Sequence, residues 1–190
     1  MSARLTLVSH SSTPATVAAA FPADEPLDGR GAAWAAEARG SVARYDRVWC
    51  SPSVSCGQTA AALGLAATTE PLLRDWDLGR WRGRTLDEVA AAEPESLQAW
   101  MTVPDQAPHG GEPLSALLER VAGWLGTVPA AGHTVAVTHP AVVRAAVVTV
   151  LTAAPQGFWR IDVAPLTGTV LRGGPGRWTV RSTGTPLVAD

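Results

Sequence analysis

The chain opens on an apolar run that ends in polar residues, Leu5–Ser11 (LTLVSHS). Its first four residues have the composition of a buried strand, and His10 follows in the adjoining loop. The same pattern occurs at Arg47–Ser51 (RVWCS) and at Thr134–His139 (TVAVTH). Each of these segments predicts a strand that delivers polar side chains at its carboxyl end.

Helix-forming segments separate these strands. Gly31–Ala43 is rich in alanine and lacks proline, and Cys56–Leu65 follows a turn with hydroxyl caps. Leu114–Leu125 places apolar residues at helical spacing, and Ala141–Leu151 is apolar on most sides. The alternation predicts an α/β fold, a three-layer sandwich in which a mostly parallel central sheet carries helices on both faces. Three short strands are expected to complete it: Ile161–Val163, Thr169–Leu171 and Trp178–Val180.

The carboxyl ends of the predicted parallel strands are the expected place for function. In open α/β sheets, functional groups collect in the crevice at these ends. His10, the loop Ser51–Cys56 and His139 each follow a different predicted strand. We therefore expect them to converge on one crevice, although they are far apart in the sequence.

Length and composition narrow the classes of partner. The 190 residues fit a single domain spanning 1–190, with 46% hydrophobic and 17% charged residues. A net charge of -2 with scattered arginines argues against nucleic acid, and no apolar stretch is long enough to cross a membrane. The N-terminus lacks a signal-peptide pattern, so a cytoplasmic location is expected. No cofactor is expected, and no metal, because the two histidines have no third matched ligand.

The middle of the chain, at about 72–113, is less regular. It contains three tryptophans and several glycine and proline breaks, which predict an inserted, partly helical cap. The eight tryptophans of the chain are expected to pack in the core and in the cap. His109 and His133 lie in turn-like contexts and are expected to be exposed.

Two motifs give the chain a family resemblance. Leu5–Ser11 resembles the strand and Arg-His-Gly motif that opens proteins of the histidine phosphatase (phosphoglycerate-mutase-like) family, with Ser9 and Ser11 in place of the arginine and the glycine. Cys50–Ala60 (CSPSVSCGQTA) resembles that family's Ser-Pro, arginine, Gln-Thr-Ala frame, with Cys56 at the position of the arginine. The resemblance thus implies that two phosphate-binding arginines are replaced.

Further segments extend the resemblance over about Leu5 to Arg181. Leu73–Gly83 resembles a stretch that starts with an acidic residue and ends in Gly-x-Trp-x-Gly, and Asp75 lies where the family often has its glutamate proton donor. The other similar segments are Pro108–Glu112 with Arg120, Val135–Arg144 and Phe158–Asp162.

The resemblance implies a mechanism and a set of site residues. His10 attacks a phosphoryl group, Asp75 protonates the leaving oxygen, and His139 is the second catalytic histidine. As an acid, Asp75 needs a raised pKa or a hydrogen-bonded proton. The candidate substrate contacts are Ser9, Ser11, Cys56, Glu112, Arg74 and Arg144. Arg74, Arg144 and Arg82 are candidates to supply the charge of the absent arginines.

The function remains open between alternatives at this point. The first is hydrolysis of a small phosphorylated metabolite through a phosphohistidine at His10. The second is a catalytically impaired pseudophosphatase that binds a ligand or partner in the same crevice, because serine and cysteine supply no full charge. The third uses His10 and His139 as an acid/base pair on a less anionic substrate. Substrate and oligomeric state do not follow from the sequence.

Overall fold

A mixed sheet forms the centre of the computed structural model, which describes residues 3–42 and 44–188. Within these residues the sheet has six strands: β1 (Ala3–Ser9), β2 (Arg47–Cys50), β3 (Thr68–Thr69), β4 (His133–Thr138), β5 (Thr167–Gly173) and β6 (Thr179–Pro186). Their order is β3-β2-β4-β1-β5-β6. Strands β3, β2, β4 and β1 are parallel, whereas β5 and β6 add antiparallel pairs at one side.

Helices cover both faces of this sheet. The α-helices in the described ranges are α1 (Pro14–Ala18), α2 (Gly29–Glu37), α3 (Val54–Ala62), α4 (Leu86–Ala92), α5 (Pro94–Thr102), α6 (Leu114–Thr127) and α7 (Pro140–Val150). The predicted α/β architecture, with helices on both faces of a mostly parallel sheet, is confirmed. None of the helices in the described part of the chain is long and apolar enough to cross a membrane.

Side chains that alternate along the central strands form two hydrophobic clusters, one on each face of the sheet. Leu5 and Leu7 of β1 join a cluster that includes the buried faces of α6 and α7, whereas Val8 joins a second cluster with residues of α2 and α3. Likewise, Ala136 of β4 belongs to the first cluster, and Val135 belongs to the second. Successive side chains of a strand point to opposite faces, so strands buried on both sides are apolar nearly throughout.

The chain between β4 and β5 departs from one prediction. The expected strand Ile161–Val163 is wrong, because this segment is an irregular connection after a 3₁₀ helix at Pro155–Arg160. The Ile161 carbonyl accepts a hydrogen bond from Nε of Arg144 at 2.8 Å, rather than one from a neighbouring strand.

The segment 72–113 combines short helices and loops around an aromatic cluster. It contains α4, α5 and a 3₁₀ turn at Gly79–Trp81, and the Trp76, Trp81 and Trp100 rings pack together. A glycine holds two of its loops close. A Cβ atom at Gly111 would lie 2.1 Å from the Asp77 carbonyl oxygen, so only glycine permits this approach.

The expectation that His109 and His133 are exposed is wrong. His109 lies beside the Trp76 and Trp81 rings, and its Nδ1 accepts a hydrogen bond from the Gly111 amide. His133 begins β4, where its two ring nitrogens contact the Thr6 hydroxyl and the Arg44 carbonyl. Both side chains are buried, His133 with partners for both ring nitrogens and His109 with a partner for Nδ1 and aromatic rings around the rest of the imidazole.

Candidate active site

A cavity of about 350 Å³ lies where the loops after β1, β2 and β4 meet. Parallel strands bring these loops to the same edge of the sheet, as predicted. The wall of the cavity carries imidazoles, hydroxyls, carboxylates and guanidiniums. These are His10 and His139; Ser51, Ser53 and Ser55; Asp24, Glu25, Asp75 and Asp77; and Arg74 and Arg82.

His10 is held in one orientation and one tautomer. Its Nδ1 lies 2.8 Å from the Ser11 carbonyl oxygen, and its backbone amide donates to the Thr138 carbonyl of the neighbouring strand end. Because a carbonyl can only accept, Nδ1 carries the proton and Nε2 keeps its lone pair. Burial, and next the charge of His139, lowers the pKa of His10 below 6.5. His10 is therefore neutral near pH 7.

His139 has the opposite electrostatic surroundings. Its Nδ1 lies 3.2 Å from Oδ2 of Asp75, and its Nε2 lies 2.9 Å from the Ser51 hydroxyl and 3.6 Å from the Cys56 sulfur. Burial alone lowers the pKa of His139, but the Asp75 carboxylate and the contact with Cys56 outweigh it and raise that pKa to about 10. His139 is therefore an imidazolium near pH 7, and its ring centroid lies 5.2 Å from that of His10.

Asp75 is ionised beside this imidazolium. Burial favours its neutral form, but the charge of His139 in the ion pair and a hydrogen bond from the Trp76 amide lower the pKa of Asp75 below its ordinary value. The proton of the pair thus resides on His139 rather than on the carboxyl group. The raised pKa that an acid role for Asp75 requires is absent in the ligand-free site.

The three small residues proposed as substrate contacts are buried outside the cavity wall. The Ser9 hydroxyl donates to the Ala164 carbonyl at 2.7 Å, and the Ser11 hydroxyl donates to the Gly31 carbonyl at 2.8 Å. Cys56, in the first turn of α3, has no exposed surface and reaches the site only through His139. Their side chains hold the loops and His139 rather than the space between the two histidines.

The three charged candidates lie in different places. Glu112 is outside the cavity and forms ion pairs with Arg74 at 3.3 Å and with Arg120 at 2.8 Å. Arg74 lines the cavity with a side chain that is 48% exposed. Arg144 lines a second, neighbouring cavity instead. Arg82 also lines the first cavity, and it has no ion pair within residues 3–42 and 44–188.

Three further carboxylates that line the cavity were not predicted. Asp24 accepts a hydrogen bond from the Val54 amide at the start of α3, Glu25 accepts one from the Thr13 hydroxyl, and Asp77 accepts one from the Gly79 amide. The sequence contains one sign of them, because Asp24 and Glu25 are adjacent acidic residues that follow the His10 segment. Their direction depends on contacts with distant loops, which sequence spacing does not encode.

The donor set around the cavity shows no metal centre. The structure has no group of three or more histidine, cysteine or acidic side chains suited to a metal ion in the residues it describes. The cavity offers a neutral imidazole, an imidazolium–carboxylate pair, hydroxyl groups, three further carboxylates and two guanidiniums.

Comparison with known proteins shows the family of the chain. The model of the histidine phosphatase superfamily (branch 1) matches residues 5–185. No curated protein matches the chain. Among solved structures, a mycobacterial hydrolase is similar with a TM-score of 0.85 and 22% identity, over 100% of this chain and 93% of that protein.

Two further solved structures are similar and contain ligands. A mycobacterial glucosyl-3-phosphoglycerate phosphatase with inorganic phosphate has a TM-score of 0.82 and 23% identity, over 98% of this chain and 99% of its own. A mutant phosphoserine phosphatase from Entamoeba histolytica in complex with phosphoserine has a TM-score of 0.84 and 16% identity, over 96% of each chain. These likenesses establish the fold, and because the family model covers nearly the whole chain, the protein belongs to branch 1 of the histidine phosphatase superfamily.

Proposed function

We propose that the protein hydrolyses a small phosphomonoester through a phosphohistidine at His10. The observation that carries this proposal is the hydrogen bond between Nδ1 of His10 and the Ser11 carbonyl, which leaves Nε2 unprotonated in the cavity. The lowered pKa of His10 keeps this nucleophile neutral near pH 7. The imidazolium of His139, whose ring centroid is 5.2 Å away, supplies positive charge for the phosphoryl oxygens.

The proposed reaction has two displacement steps. Nε2 of His10 forms a bond to phosphorus while the ester P–O bond breaks, and the leaving oxygen takes a proton from the His139–Asp75 pair. The free pair holds one proton, on His139, and a bound phosphoryl dianion raises the pKa of both members, so that the pair takes up a second proton from solvent and donates it to the leaving oxygen. Water then attacks the phosphohistidine, returns a proton to the pair and releases phosphate. Asp75 thus acts as acid and base only with substrate bound.

The charge of the cavity limits the rate in this proposal. Four carboxylates line it, against two guanidiniums and one imidazolium, which leaves one net negative charge before the substrate enters. The resemblance to the family implies arginines at the positions of Ser9 and Cys56, and one catalytic arginine is worth on the order of 10³ to 10⁵ in rate. Arg82 is the cation best placed to compensate, since it lines the cavity without an ion pair among the described residues.

The segment 72–113 is proposed to act as the cap of a single-domain enzyme. Arg74, Asp75, Trp76, Asp77 and Arg82 all belong to it, and together they form one wall of the cavity. The cap therefore supplies Asp75 of the acidic pair and Arg82, the compensating cation.

Turnover of a phosphomonoester panel tests the proposal. Wild-type protein should release phosphate and form an acid-labile phosphoenzyme, and His10→Asn should lower turnover on the order of 10³-fold or more, because it removes the nucleophile. His133→Asn is the matched control, since His133 is a buried histidine outside the cavity. Turnover that survives His10→Asn would contradict the proposed mechanism.

A binding protein without catalysis is the second candidate. The net negative charge of the cavity favours it, because that charge opposes a phosphate dianion. If this candidate is correct, titration with phosphate or vanadate shows little binding, and no member of the panel is hydrolysed. Tight vanadate binding that His10→Asn abolishes would exclude it.

A further inference from the structure

A second cavity of about 230 Å³ adjoins the first on another side of His10. His10, Asp75 and Trp76 line both cavities, so a ligand that reaches the phosphate position can extend into either. The two cavities differ in character, because charged and hydroxyl groups dominate the first, whereas aromatic rings dominate the second.

The aromatic rings of the second cavity form a preassembled group. Trp76 stacks on Trp100 with centroids 5.1 Å apart, Trp159 meets Trp100 edge-on at 4.6 Å, and Phe158 meets Trp76 edge-on at 5.4 Å. Aromatic pairs favour offset and edge-to-face contacts, so such a wall accepts another flat ring. A cavity of roughly 150 Å³ holds a benzene molecule, so this one is large enough for a single substituted ring.

Arg144 adds a charge to this aromatic wall. Its Nε donates to the Ile161 carbonyl, whereas its two terminal nitrogens have no hydrogen bond or ion pair with any residue in 3–42 or 44–188. The guanidinium carbon lies 5.8 Å from the Phe158 ring centroid, and burial lowers the pKa of Arg144 below its ordinary value. The guanidinium is partly buried, and the Asp162 carboxylate acts on it without an ion pair among the described residues, so its free donors can bind a planar anion such as a carboxylate.

The first cavity cannot serve such an anion equally well. Arg74, Arg82 and the His139 imidazolium line it, but four carboxylates outnumber these three cations and repel an anionic substituent. The second cavity shares with it only one carboxylate, that of Asp75. Charge therefore directs an anionic leaving group toward Arg144.

We infer that the second cavity binds the leaving group, and that the preferred substrate is a phosphomonoester of an aromatic alcohol that carries a carboxylate. This inference rests on the proposed function, because it assumes that the phosphoryl group lies beside His10. Arg144 binds the carboxylate, and Trp100 and Trp159 contact the ring.

Matched substrates test the inference through kinetics. We compare 4-carboxybenzyl phosphate with 4-carbamoylbenzyl phosphate, in which a neutral amide replaces the carboxylate, and with ethyl phosphate. Wild-type kcat/KM should favour the carboxylate over the amide by about 10- to 100-fold, the value of a charge-assisted hydrogen bond. Arg144→Gln should bring this ratio near one, and Arg144→Lys should restore part of it.

A binding measurement separates this inference from the proposed function. Calorimetry follows 4-(hydroxymethyl)benzoate, the dephosphorylated product, with wild type, Arg144→Gln and Trp159→Leu, after circular dichroism has shown that each variant is folded. Binding that both variants weaken supports the subsite even if no phosphomonoester is hydrolysed. Turnover without preference for the carboxylate, together with no product binding, would overturn the subsite and leave the proposed function intact.

Discussion

His10 and His139 occupy equivalent places but have opposite protonation states. Each follows a buried strand, β1 and β4, and these strands are parallel neighbours in the sheet. Burial and the charge of His139 keep His10 neutral, and the Ser11 carbonyl fixes its tautomer, whereas Asp75 keeps His139 charged. A shared position at a strand end therefore does not define the role of a histidine, because the role follows from what contacts its second nitrogen.

The largest effect is expected when the Asp75 carboxylate is removed. Asp75→Asn should lower the pKa of His139 well below about 10, because burial is then opposed only by the contact with Cys56. It should lower kcat by about 10²- to 10⁴-fold if the pair is the acid. NMR titration of the His139 ring and steady-state kinetics measure both effects.

The neighbouring carboxylate provides the control for this substitution. Asp77 lines the same cavity, but its Oδ1 accepts from the Gly79 amide rather than from His139. Asp77→Asn should therefore leave the pKa of His139 within about one unit, since the lost charge is not in contact with the ring. Equal effects of the two substitutions would show that general charge, and not the pair, sets the state of His139.

The pH dependence of kcat/KM should report both the neutral state of His10 and the protonated state of His139. Activity needs neutral His10, so it falls as pH drops through the lowered pKa of His10, which lies below 6.5. Activity also needs protonated His139, so it falls as pH rises through about 10. Each limb should approach about tenfold per pH unit, and Asp75→Asn should move the alkaline limb to lower pH. An alkaline limb that does not move would contradict the assignment.

A smaller effect is expected at the other nitrogen of His139. Ser51→Ala removes the hydroxyl that lies 2.9 Å from Nε2 and leaves a buried donor without that partner. The loss corresponds to about 1–3 kcal/mol, or roughly 5- to 150-fold in kcat/KM. This loss is measured by steady-state kinetics at pH 7 with the phosphomonoester of the panel that has the highest turnover.

The smallest effect should concern stability and not the pKa of His139. The Ser53 side chain caps α3 by accepting a hydrogen bond from the Cys56 amide, and it does not contact His139. Ser53→Ala should reduce the free energy of unfolding by about 1 kcal/mol, as urea denaturation would show. It should leave the pKa of His139 unchanged. A shift in that pKa as large as the one caused by Asp75→Asn would contradict the view that Ser53 caps the helix without affecting the His139–Asp75 pair.

The positions of the strand ends could be predicted from the sequence, but the orientations of the side chains in the site could not. Apolar runs that stop at His10 and His139 were sufficient to predict a parallel sheet and a shared crevice, because strand polarity fixes where these loops meet. The pairing of Asp75 with His139 depends on the path of an irregular loop, which has no periodic signal. The burial of His109 was missed for a related reason, since its neighbours Trp76 and Trp81 are distant in sequence and adjacent only in the folded cap.

The position of Ser9 has a consequence for how such a site can change over evolution. Its hydroxyl has no exposed surface and connects the end of β1 to the Ala164 carbonyl and to the amide of Thr167. A mutation to arginine at this position would break both hydrogen bonds and force a long cation into packed space before it could reach a phosphate. Ser9→Arg alone is therefore expected to destabilise the fold before it supplies any charge to the cavity.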